Sequence, residues 1–150
     1  MKAAACCTAK LLWNWCMVNK FQTAKVEKSS SINFLRKARD FFKSAKDNLE
    51  AENWNAAGLD AVHSGISAND ALLACLHGVR STSKSHDDAI GLTATLVNRE
   101  GAKDALNHLR RLIAKKNLIE YEGKCFPKDE AEKVVLHAER FILWVESALG

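Results

Sequence analysis

Proline and glycine are scarce, with one proline and seven glycines in 150 residues. Both interrupt regular structure, so their scarcity favours long helices and argues against a many-stranded sheet with its frequent turns. The cysteines Cys6, Cys7, Cys16, Cys75 and Cys125 form no Cys-x-x-Cys pair, the spacing a structural zinc site would use. Their odd, irregular set suits a reducing, cytoplasmic compartment better than a disulfide framework. Cys75, in an apolar stretch, reads as a small buried side chain. No apolar run is long enough to cross a bilayer, so no membrane is expected as a partner. The chain has no glycine-rich phosphate loop, Ser-His-Asp set or paired-carboxylate arrangement, and no internal repeat. No cofactor and no metal are expected.

What is present is a chain of one-domain length with 47% hydrophobic residues, enough for a true core. Its net charge of +4 is compatible with a nucleic-acid partner and is equally common among basic domains that bind none. Residues 1–30 differ from the remainder. Met1 to Val18 is rich in Ala, Cys and Trp but is broken by Lys10 and Asn14, so it lacks the h-region of a signal peptide. The expected division is a leader or loosely attached segment over 1–30, with Met17 as an alternative start, and a helical domain over 31–150. Ser29-Ser30-Ser31 reads as a linker ending in a helix cap.

Hydrophobic periodicity predicts a first helix over about Ile32 to Glu50, with Phe34, Leu35, Ala38, Phe41, Phe42, Ala45 and Leu49 on one face. Asn53 is positioned to cap a second helix that runs to about His77 and stops at Gly78. Ala56, Ala57, Gly58, Ala61, Gly65, Ala68 and Ala71 make that helix thin, which suits close helix packing at the centre of a bundle or between two chains. Ser85 opens a third helix, with Asp88 completing a capping-box spacing. A fourth runs from about Ala102 to Asn117, with Arg110, Arg111, Lys115 and Lys116 near its end, where cations suit the helix dipole. The last follows Pro127, over about Lys128 to Leu149. The fold class is all-α: a four- to five-helix, mostly antiparallel up-and-down bundle.

Several segments, in this order, resemble the HEPN family of small helical domains. They are Phe34-Leu35-Arg36-Lys37-Ala38, Asn69-Asp70-Ala71-Leu72-Leu73, a Gly78-containing loop with Ser85-His86-Asp87-Asp88-Ala89, Glu120-Tyr121-Glu122-Gly123, and Ala138-Glu139-Arg140-Phe141. The resemblance implies a bundle that dimerises. In many members it implies a metal-independent endoribonuclease of toxin–antitoxin or defence systems that uses an Arg and a His a few residues apart. Arg80 and His86 match that pair. Ser81 departs from it, because catalytic members often carry Asn, Asp or His directly after the Arg. Other members are non-catalytic modules that bind a nucleotide or a partner protein, and this alternative stays open.

On one straight helix, six positions at ~100° each would leave Arg80 and His86 ~120° apart. A loop ending at a helix N-terminus could bring them together. His86 would then move the proton of a ribose 2′-hydroxyl and Arg80 would stabilise charge on the phosphate oxygens. Lys84, Ser85, Arg110 and Arg111 are the candidate nucleic-acid or phosphate contacts. The expected partners are a second copy of the chain, RNA, and an antitoxin or nucleotidyltransferase. His63, among small residues, reads as a core or interface histidine, and His77 as a helix-end residue. His108 and His137 have no acidic or cysteine neighbour at ligand spacing.

Overall fold

The computed structural model describes residues 21–150. Calls on Cys6, Cys7, Cys16, Met17 and the segment before Phe21 lie outside the described residues. The rest forms five α-helices and a two-stranded sheet: β1 (Thr23–Lys25), α1 (Ser31–Glu50), α2 (Trp54–His77), β2 (Val79–Ser81), α3 (His86–Leu96), α4 (Ala102–Tyr121) and α5 (Lys128–Leu149).

α1 buries Ala38 and Ala45 and sets Phe42 and Leu49 against the core. Its polar side carries the i,i+4 pair Lys43–Asp47 and reaches α5 through Arg39–Glu146, at 2.6 and 2.7 Å. α2 is the central element, with Ala57, Ala61, Val62, Ala68 and Ala71 to Ala74 fully buried. Its small residues are taken up by packing within the chain. A Cβ at Gly58 would stand 2.8 Å from the Phe126 ring, and one at Gly65 would stand 2.6 Å from Leu112 Cδ1. The thin face of α2 is therefore closed by α4 and the Phe126 connection and is not left free for a second copy. α4 and α5 complete the bundle, with Leu109, Leu112, Phe141 and Val145 in its core. No helix among the described residues is long and apolar enough to cross a membrane.

The helix spans follow the hydrophobic periodicity, but the ends differ from expectation in instructive ways. α4 continues to Tyr121 because Leu118 and Ile119 pack on the core and Lys116 pairs with Glu120 one turn on. Asn53 precedes α2 without capping it, since its amide donates to Asn48 Oδ1 at 3.3 Å. Ser31 lies inside α1, and Ser30 precedes it with its hydroxyl donating to Glu27 O. A buried hydroxyl, that of Thr93, donates to Asn69 Oδ1 at 2.8 Å and ties α3 to α2. Cys75 is only partly buried.

The boundary expected at residue 31 falls inside a docked segment. β1 pairs antiparallel with β2 in the register Thr23↔Ser81, Ala24↔Arg80, Lys25↔Val79. The Val26 N–H donates to Gly78 O at 2.9 Å, and Lys28 Nζ donates to Leu76 O, one of the carbonyls left open at the end of α2. The Phe21 ring lies directly over Gly91. Three-residue strands are too short to show an alternating pattern, so β1 reads as linker in the sequence.

Candidate functional site

Gly78 ends α2 in the left-handed region, φ 63°, and turns the chain into β2. Pairing with β1 leaves Arg80 exposed on the strand, opposite Ala24. The chain then bends toward α3 under the control of Ser83. The Ser83 hydroxyl donates to Asp88 Oδ2 at 2.5 Å and accepts the Ser85 N–H at 3.1 Å. Ser85 occupies the N-cap position but makes no side-chain cap. The capping-box expectation is corrected to this extent: Asp88 pairs with Ser83, because the bend brings that hydroxyl over the first turn.

His86 is the first residue of α3 and is half-buried. With Lys84, Ser85 and Asp87 it forms one wall of a cleft of about 320 Å³, whose other wall is Arg110, Ile113, Lys116 and Asn117 of α4. Positions 110, 113 and 117 repeat at helical spacing, so a single face of α4 meets the N-terminus of α3. Burial, and next the Lys116 ammonium, push the His86 imidazole below the ordinary histidine value, while Glu120 and Asp87 pull it up. Lys116 in turn holds Glu120, with Nζ 2.5 Å from Oε2, and this bond keeps that carboxyl below its usual range. On the far side of Glu120 lies His63, its Nε2 3.9 Å from Oε1 and its ring tilted against Phe41 at 5.4 Å between centroids.

Of the residues singled out in the sequence, Lys84, Ser85, His86 and Arg110 share this cleft. Arg80 is not among its lining residues. Its guanidinium acts on Asp70, whose carboxyl is pushed up to about 6 by burial, against the opposing attraction of Arg80 and Lys37. Arg111 follows Arg110 by ~100° around the helix and faces elsewhere, toward the imidazoles of His108 and His137. His77 closes α2, as its position predicts. Lys116, Asn117 and Glu120 complete the α4 wall and were not singled out as contacts. Their signal was the spacing from Arg110, masked because cations near a helix end are accounted for by the dipole. Among the described residues, no group of three or more His, Cys, Asp or Glu side chains is placed to hold a metal ion.

A helical bundle with a basic, histidine-bearing cleft at an Arg-to-His loop defines the class. The HEPN domain family model matches residues 33–148, and the chain belongs to the HEPN family. No curated protein is similar enough to match it.

Proposed function

We infer that this HEPN domain is a metal-independent endoribonuclease of the kind found in toxin–antitoxin or defence systems, acting in the cytoplasm. The cleft carries the assignment: a half-buried imidazole with a depressed pKa stands among Lys84, Arg110 and Lys116 at the N-terminus of α3. Those cations and the helix N-terminus attract a phosphodiester. A neutral imidazole can take the proton of the 2′-hydroxyl as that oxygen attacks the adjacent phosphorus. The 5′-oxygen leaves with a proton, and the products are a 2′,3′-cyclic phosphate and a free 5′-hydroxyl. Arg80, outside the cleft of its own chain, serves in this scheme from the second copy of a homodimer, stabilising charge on the phosphate oxygens. Leu136 and Leu143, 42% and 59% exposed on α5, supply apolar surface for a partner, whether a second copy, an antitoxin or a nucleotidyltransferase.

The position of Arg80 favours one second reading, a non-catalytic module that binds a nucleotide or a partner protein through the same basic cleft. One experiment separates the two. Purified protein is incubated with single-stranded RNA and with DNA of the same sequence, both with a chelator. Endoribonuclease activity requires cleavage of the RNA alone, because DNA lacks the 2′-hydroxyl. It also requires cyclic-phosphate ends and a rate for His86→Ala lower by about 10²–10⁴. Arg80→Ala is expected to be severe as well, and light scattering to report about twice the chain mass. RNA left intact by folded protein, or cleaved equally well by His86→Ala, overturns the catalytic assignment.

A further inference from the structure

Transfer of a phosphoryl group to a 2′-hydroxyl moves two protons, one off the attacking oxygen and one onto the leaving oxygen. A single imidazole cannot be deprotonated for the first and protonated for the second in the same pass. The structure holds a second imidazole beside the first, joined to it by an ion-paired bridge. Lys116 lines the His86 cleft and bonds Glu120 at 2.5 Å, and Glu120 faces His63 at 3.9 Å. His63 is half-exposed, its ring set by Phe41, and its Nε2 has a carboxylate counterpart when the ring is protonated. The charged and titratable groups that act on His86 are Lys116, Glu120, His63 and Asp87, so the two rings lie within one electrostatic field.

We propose that His63 and His86 serve one phosphate subsite, His86 as the proton acceptor and His63 as the proton donor to the leaving oxygen, with Glu120 as a positioning residue for His63. This rests on the endoribonuclease assignment for its chemistry but not for its geometry. The 2′-oxygen–phosphorus bond forms as the 2′-proton passes to His86. The phosphorus–5′-oxygen bond breaks as that oxygen takes the proton of His63. Exchange with water resets both rings, so no further reactant is consumed. With Nε2 facing Glu120, Nδ1 is the atom of His63 that exchanges the proton.

Two measurements test this separately. In the first, imidazole NMR signals are followed as inorganic phosphate is added to the full chain. Those of His63 and His86 are expected to move along one binding curve while those of His108 and His137 do not. Movement of His86 without His63 overturns the shared subsite. The second measurement is the pH dependence of kcat/KM on RNA. The wild-type profile is expected to be bell-shaped. His63→Gln should lose the alkaline limb and fall by about 10²–10⁴, and Glu120→Gln should move that limb to lower pH. A purely structural role for His63 would lower the rate without altering the profile, and an unaltered bell in His63→Gln overturns the donor role while leaving the endoribonuclease assignment intact. A wild-type chain that cleaves no RNA overturns that assignment instead, and the phosphate titration then decides on its own whether the two rings share a subsite.

Discussion

His108 Nδ1 stands 2.9 Å from His137 Nδ1, one ring on α4 and the other on α5. At that distance one ring's N–H donates to the other's bare nitrogen, so the pair cannot hold a proton on both facing atoms. Both imidazoles titrate below the ordinary histidine value. Burial is the first cause for each, followed by Arg140 for His108 and by His108 itself for His137, with Arg111 adding to both. The unfolded rings bind protons as pH falls below about 6.5 while the folded ones resist, so acidification favours unfolding. Urea denaturation of wild type and of the double variant His108→Asn, His137→Asn at pH 7.5 and 5.5 checks this. The double variant is expected to lose less stability across the interval, and an equal loss contradicts the linkage.

Asp70 carries the opposite sign. Its carboxyl titrates near 6 in the folded chain, chiefly through burial, against a model value of 3.8. Between those values the folded state binds more protons than the unfolded, so stability falls as pH rises and stays low above about 6. Asp70→Asn is expected to stabilise the protein by about 1–3 kcal/mol at pH 7.5 and by little at pH 4. Because the Arg80 charge opposes this shift, Arg80→Ala should raise the Asp70 value further, readable from the carboxyl carbon by NMR.

Gly65→Ala sets two effects against each other. Alanine is the better helix former by about 1 kcal/mol, but its methyl would meet Leu112 Cδ1 at 2.6 Å and Leu109 Cδ1 at 3.3 Å. Leu112 is fully buried and Leu109 nearly so, so neither can swing aside into solvent. Overpacking of this kind costs about 1–3 kcal/mol, and the substitution should lower the melting temperature. An increase would show that α4 can move away from α2 at little cost.

Thr93→Val removes the donor to Asn69 Oδ1 while keeping the side chain's shape. A buried acceptor left without its partner costs about 1–3 kcal/mol. Chemical denaturation should show a loss in that range, and the double variant with Asn69→Leu should recover part of it.

A chain beginning at Ser31 lacks β1, the Val26–Gly78 hydrogen bond and the Phe21 contact on Gly91. It should be less stable than one beginning at Phe21, and amide exchange at Arg80 and Ser81 should quicken. Equal stability of the two would show that the β1–β2 pairing adds nothing to the bundle.

The sequence by itself determined the helices, because each needs only a local pattern. The apolar face of α1, the cap-to-Gly78 run of α2 and the stretch after Pro127 carry their own periodicity and their own stops. It also determined that Lys84, Ser85 and His86 fall together, since they are neighbours at one helix start. The tertiary structure alone decided what those residues face. Arg110 joins the cleft and Arg111 does not, because a rotation of ~100° about one helix separates them and only packing fixes which way α4 is turned. Arg80 was drawn away from His86 by strand pairing with Ala24, a partner 56 positions earlier that no local pattern announces. His63, Glu120 and Lys116 come from helices far apart in sequence, and their juxtaposition follows from Gly65 letting α4 approach α2 so closely.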